Sequence, residues 1–265
     1  MTGPIRTLTL FVAAALFSLL AVGAGQAQDS SPTATMPATQ PAIALDNGLQ
    51  IVDRRSNETI EKPKLSIDVS KPVLTGQTGP AVEGFNKAVD SIIQDTVGTF
   101  KKDTLENEAI ATLPPDMADL GSYISVNYEV FNTPNGLISV RFNVGWYSAG
   151  AAHPNSYTIS LNYDLAASKT LALADLFKPK ARYLDALSAY CIKALKAADR
   201  LDFPEGAAPK EENFRSWNIT QDGLLINFDD YQVTPHAVGP QHVVVPYATL
   251  TSLIRMDGPL AKFVK

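Results

Sequence analysis

Three histidines, His153, His236 and His242, one cysteine, Cys191, and the adjacent carboxylates Asp229 and Asp230 are the residues here best suited to proton transfer, nucleophilic attack or metal binding. The histidines and Asp229 or Asp230 could in principle hold a metal. They lack the short ligand spacing that metal sites show, and His242 stands at the start of an apolar strand, Val243 to Val245, so no metal is expected. Ser148 and His153 lie close in one loop, but a nucleophile needs a base that a third group orients, and sequence proximity supplies no such geometry. No GxSxG, HExxH, phosphate loop, paired CxxC or dinucleotide fingerprint is present, so neither a catalytic residue nor a cofactor is assigned. Cys191 shares a helical stripe with Leu184, Leu187 and Leu195, which reads as a small buried hydrophobe, and a lone cysteine excludes an intrachain disulfide.

Recognition is the chemistry that remains. Ser148-Ala-Gly-Ala-Ala-His-Pro-Asn155 is a loop of small residues in which Pro154 biases His153 towards an extended backbone. Small residues let a partner approach, and His153 and Asn155 can hydrogen-bond to it. Tyr231, Pro235 and His236 mark a second irregular segment with aromatic and imidazole groups. The candidate ligand-binding residues are therefore Tyr147, His153, Asn155, Tyr231 and His236. Two tight, packed connections with no ligand are the other reading of the same residues.

The elements that must position these loops are legible in period-two and period-3.6 patterns. Ile124, Val126, Tyr128 and Val130 alternate with polar residues, as do Ile138 to Trp146 and Tyr157 to Leu165, and Asn132-Thr-Pro-Asn-Gly136 supplies turn chemistry between the first two runs. One face of this antiparallel sheet is apolar and the other polar, as for a sheet covered on one side. Leu65 to Val69 predicts an earlier strand, and Leu49, Ile51 and Val52 can begin an edge strand in an otherwise ambiguous stretch. Val82, Phe85, Val89, Ile92, Ile93 and Phe100 predict a helix over about 79–104, after which residues 107–119 return the chain to the sheet edge. A helical turn at Leu171 to Phe177, a second helix over about 181–199, a hairpin through Asp222-Gly223, a strand from Gln241 to Val245 and a helix from Pro246 to about Ile254 complete the pattern. The fold class expected is α+β, an antiparallel sheet covered on one face by two amphipathic helices.

The chain begins with Arg6, an apolar run from Leu8 to Val22 and small residues up to Ala27, the layout of a signal peptide over residues 1–27, with cleavage after Ala27 or Ala24. The apolar run is shorter than the ~20 residues that span a bilayer. A Ser, Thr, Gln and Pro-rich tether over 28–45 follows, and residues 46–265 are expected to form a single α+β domain, with a strand-helix part over 65–120 and the sheet and its C-terminal continuation over 121–265. Loss of residues 1–27 leaves 21 Lys and Arg against 27 Asp and Glu, a net charge of −6. An acidic chain without a basic run speaks against nucleic acid and suits a basic protein partner. Nothing beyond the leader is apolar enough to enter a membrane, so a periplasmic or secreted location is expected.

Gly150-Ala-Ala-His-Pro-Asn155 with Asn162-Tyr-Asp164, then Leu173-Ala-Asp-Leu-Phe177, Thr220-Gln-Asp-Gly223, Tyr231 to Gly239 and Val245-Pro-Tyr247, in that order, resemble the extracytoplasmic domain shared by RsiV-type anti-sigma factors and PdaC-type peptidoglycan deacetylases. The pattern of that family often has glycine where Ala151 stands and an aromatic residue where His236 stands. The resemblance implies a domain of unknown function that acts at the cell envelope, with a lysozyme-like protein or peptidoglycan as partner. It carries over neither the sigma-binding segment nor the separate deacetylase domain of those proteins. A non-catalytic binding module is the expected function; an envelope polysaccharide-modifying enzyme with His153 as acid or base, and a structural envelope protein, are the alternatives.

Overall fold

The computed structural model describes residues 40–45, 48–131 and 136–264. The expected signal peptide, most of the tether and the turn residues from Asn132 to Asn135 lie outside them. Among the described residues there are ten strands and five α-helices. The strands are β1 Ile43–Ala44, β2 Gln50–Glu61, β3 Lys64–Thr75, β4 Ser122–Phe131, β5 Leu137–Tyr147, β6 Asn155–Asp164, β7 Lys169–Thr170, β8 Trp217–Ile219, β9 Gly223–Phe228 and β10 Gln241–Pro246. Helix α1 runs over Pro80–Glu106 and α4 over Tyr183–Ala197; α2 Glu108–Ala111, α3 Pro115–Ala118 and α5 Tyr247–Leu250 are single turns. Among the described residues no helix is long and apolar enough to cross a membrane.

Strands β1 to β7 form one sheet in sequence order. Every neighbouring pair is antiparallel except β3 and β4, which run parallel because the α1 to α3 crossover joins them. The chain thus returns beside β3 and not to a sheet edge as the sequence suggests. Phe85 and Val89 of α1 are buried against Ile124, Val126, Phe142, Val144 and Leu161 of the sheet. The Asn86 carboxamide fixes the helix by accepting from Leu74 N–H at 2.8 Å and donating to Leu74 C=O at 3.0 Å, which mimics a further strand.

The second half of the chain builds a second core. Strands β8, β9 and β10 form an antiparallel three-stranded sheet, and Leu187, Cys191 and Leu195 of α4 pack with Ile226, Phe228 and Val245. The two long helices therefore divide between two sheets, one to each, instead of sharing one face. Cys191 is fully buried, as its stripe predicts, and burial pushes its thiol pKa up to about 12. The closing helix stops at Leu250, short of the expected Ile254.

The small sheet sits on the polar face of the large one, so the face that alternation marks as solvated is partly an interior. Asn162 Oδ1 accepts from Ser139 Oγ at 2.7 Å and from Ile219 N–H at 3.0 Å, while its amide donates to Trp217 C=O at 2.7 Å. Asn218 donates to Ser139 Oγ at 2.9 Å and accepts from Ser160 Oγ and Asn227 Nδ2, both at 3.0 Å. Ser139, Asn162, Asn218 and Asn227 are each at most 2% exposed, and these bonds satisfy groups that burial would otherwise leave costly. At the rim Arg141 donates to Asn227 Oδ1 at 3.1 Å and to Glu129 at 2.7 Å, and lies 3.4 Å from His242 Nδ1.

His242 exposes much of its surface while its ring faces that guanidinium. Desolvation and then the charge of Arg141 lower its pKa below 6.5, with Asp229 opposing. Because the folded form takes up the proton less readily than the unfolded one, stability is complete above about pH 6.5 and is eroded as the pH falls through the folded value. In an NMR titration the His242 midpoint is expected to lie below 6.5 and to rise in Arg141→Met; an unchanged midpoint in that variant would refute the assignment.

Candidate functional site

Two connections far apart in sequence meet beside the start of β6. The first, after β5, carries His153. The second, between β9 and β10, carries Asp230, Tyr231 and His236. Strand β6 pairs with β5 over its length but with β7 only at Tyr163 and Asp164, so its earlier residues form an open edge. Asp229 covers that edge by accepting from Thr158 N–H and Thr158 Oγ1, both at 2.8 Å, and from Arg215 at 3.0 Å. A carboxylate on an unpaired strand amide also fixes where the second loop leaves β9.

The loop is then held from within. Gln232 donates to Gly206 C=O at 2.9 Å and to Asn213 C=O at 3.0 Å and accepts from Asp229 N–H at 3.2 Å. Val233 and Thr234 are fully buried, and Val233 C=O accepts from Asp202 N–H and Phe203 N–H. With its middle anchored, the loop projects its flanks. Tyr231 is 52% exposed and adopts a left-handed backbone, φ 63°, which costs a side-chain-bearing residue about 1 kcal/mol.

Those flanks form a stack of three rings with His153. The imidazoles of His153 and His236 lie 4.3 Å apart with planes 20° from parallel, and Tyr231 stacks on His236 at 5.4 Å. His153 Nδ1 is 2.8 Å from Pro154 C=O, which only accepts, so Nδ1 carries a hydrogen, and Nε2 lies 3.3 Å from the Tyr231 hydroxyl. Asp230 anchors the far side: its Oδ2 accepts from Ser156 Oγ at 2.7 Å and lies 3.4 Å from His236 Nδ1, and its Oδ1 is buried with no hydrogen-bond partner among the described residues.

Of the five residues expected from sequence, the structure thus brings His153, Tyr231 and His236 together. Tyr147 and Asn155 serve the first loop instead. Tyr147 donates to Ala151 C=O at 3.2 Å and stacks on Tyr123, and Asn155 Nδ2 lies 3.5 Å from His153 C=O. Ser156 and Asp230, which position the rings, are not singled out by the sequence as a pair. The adjacent carboxylates Asp229-Asp230 at a strand end were the signal, and only the fold shows which strand they grip. Among the described residues no group of three or more His, Cys, Asp or Glu side chains is arranged to hold a metal ion.

Residues 174–248, which span α4, the small sheet and the Tyr231 loop, match a family described as "Protein of unknown function (DUF3298)". That segment is similar to the DUF3298 family. A solved DUF3298 structure from Bacteroides fragilis superposes on it with a TM-score of 0.60 at 19% identity, over 82% of this chain and 97% of that one. Peptidoglycan-N-acetylmuramic acid deacetylase PdaC of Bacillus subtilis is 28% identical over 178 residues, 65% of this chain and 37% of PdaC. Anti-sigma-V factor RsiV of the same organism is 26% identical over 205 residues, 73% of this chain and 67% of RsiV. The chain therefore spans little more than a third of PdaC. The likeness to RsiV-type and PdaC-type proteins expected from segment order is borne out, as is the α+β fold with its mainly antiparallel sheet. The DUF3298 match contains Tyr231 and His236, whereas His153 lies ahead of it on the large sheet, so the ring stack joins the matched segment to the strands before it.

Proposed function

We propose that this protein is an exported, non-catalytic binding module of the cell envelope that engages a lysozyme-like protein or peptidoglycan through the His153, Tyr231 and His236 rings. The single observation that carries this reading is the convergence of two loops, 78 residues apart, into an aromatic face held by hydrogen bonds within and behind it. A face that is rigid before binding avoids the ordering cost that a flexible loop would incur. Exposed tyrosine with stacked imidazoles is the side-chain chemistry of an interface centre. Both nitrogens of His153 are engaged, one by a carbonyl and one by a hydroxyl, which supports recognition over proton transfer. The export signal read over residues 1–27, the net charge of −6 that remains, and relatives named for peptidoglycan and for an anti-sigma role support an envelope location. On this reading the tether ends before residue 40, since Ile43 and Ala44, expected within it, form β1 and pair with Ile51 and Gln50 of the domain.

The test is retention of the mature chain on immobilised lysozyme and on sedimented peptidoglycan. Retention on one of them, weakened about tenfold by His153→Ala and by Tyr231→Ala at unchanged melting temperature, is the expected result. No retention on either, or variants that bind like the parent, would overturn the reading. Tyr231→Ala keeps the same backbone cost, since both residues carry a β-carbon, so a loss of binding reports the ring.

A further inference from the structure

On the opposite face of the same strand edge, α1 and the large sheet leave a cleft of about 650 Å³ that the ring stack does not reach. Ser156 and Tyr157 are adjacent on β6 and point to opposite faces, the first to Asp230 and the second into this cleft. Trp146 and Tyr157 from the strands and Phe100 from the helix give it half-buried ring surfaces, with Phe100 and Trp146 centroids 5.9 Å apart. Asp95 and Asp103 line the helical wall two turns apart, about 12 Å along the axis. Neither forms an ion pair among the described residues, and the lining contains no Lys, Arg or His. Thr99, Thr104 and Ser148 also line the cleft, and none of their hydroxyls has a hydrogen-bond partner among the described residues.

The donor and acceptor set discriminates between occupants. An organic cation would use the carboxylates and the ring faces but leave the hydroxyl donors of Thr99, Thr104 and Ser148 idle. An anionic sugar would face two carboxylates with no cation between them. An uncharged sugar presents hydroxyls that both donate and accept, on rings whose C–H faces pack against aromatic planes, and so uses every group present. We propose that the cleft is a binding site for a neutral oligosaccharide, with ring faces on Trp146 and Tyr157 and hydroxyls donating to Asp95 and Asp103. This inference goes beyond the loop face and does not depend on it.

The chain has two tryptophans, and Trp217 is 5% exposed, so a ligand-dependent fluorescence change reports Trp146. Titration of the mature protein with chitotetraose is expected to shift and saturate that emission, and the double substitution Asp95→Asn and Asp103→Asn, both at exposed positions, is expected to weaken binding about tenfold. His153→Ala, which leaves the cleft untouched, is expected to bind chitotetraose like the parent even if it loses the envelope ligand. The proposal is overturned by no response up to about 10 mM chitotetraose, by unchanged affinity in the double variant, or by His153→Ala abolishing the response. A response to pentalysine or tetragalacturonate in place of chitotetraose would equally overturn it, in favour of a cationic or an anionic occupant.

Discussion

Asn162→Leu is expected to lower the unfolding free energy by about 3 kcal/mol, read as a fall in the urea midpoint. Leucine has the branched outline of asparagine but puts two methyl groups in place of both halves of its amide. Trp217 C=O loses its 2.7 Å donor, and Ile219 N–H keeps only the 3.1 Å contact with Ser139 Oγ. The orphaned groups stay buried because the two sheets close over them, so the desolvation cost is not recovered from water. Ser160→Ala, at the half-buried rim of the same seam, is expected to cost about 1 kcal/mol or less, since Asn218 Oδ1 still accepts from Asn227. Equal effects from the two substitutions would show that the seam is solvated rather than interior.

The seam also explains what the sequence conceals. Ser139, Arg141, Asn143 and Thr158, Ser160, Asn162 carry the period-two mark of a polar face, and polarity in a strand ordinarily means solvent. Here the second sheet presents its own Ser216, Asn218 and Asn227, and polar residues on both sides replace water by each other. Alternation tells which residues share a face and not what covers it. Strand β2 hides for a related reason: between Ile51 and Ile60 it reads Val-Asp-Arg-Arg-Ser-Asn-Glu-Thr, yet twelve register pairs with β3 hold it. Backbone pairing with a strand already docked suffices, without a stripe of its own. Helix α1 and the β4 to β6 strands were legible because each buries an apolar face against the other, so period and packing agree.

For the candidate site, residue type pointed to His153, Tyr231 and His236 separately, as groups able to recognise a partner from irregular loops. Their meeting depends on contacts that have no local signature, such as Ser156 with Asp230 across 74 residues and Thr158 with Asp229 across 71. The cleft under α1 leaves no mark in the sequence, for the opposite reason. Phe100 belongs to the apolar stripe of its helix and Trp146 and Tyr157 to those of their strands, so all three read as core, while the carboxylates at Asp95 and Asp103 read as ordinary solvated helix surface.

Gly206→Ala is expected to cost about 3 kcal/mol or more and to displace the Tyr231 loop, for a reason unrelated to turn conformation. A β-carbon at Gly206 would fall 1.7 Å from Gln232 C=O oxygen and 2.6 Å from its carbon, atoms of a backbone that cannot rotate away. The segment around Gly206 is the surface against which Gln232 and Val233 are pinned, so relief of the clash must push residues 231–236 outward and separate Tyr231 from His153. Gly239, at the other end of the loop, makes the comparison sharp. Its φ of 78° is left-handed, but nothing lies within 4 Å of the β-carbon it would gain, so Gly239→Ala should cost only about 1 kcal/mol of backbone strain and leave the ring stack in place. Urea midpoints with the His153 and His236 imidazole resonances as local probes separate the two cases. A Gly206→Ala protein with parental midpoint and unshifted imidazole signals would mean that the 200–206 segment does not brace the loop, and the preorganised face inferred from it would fail with it.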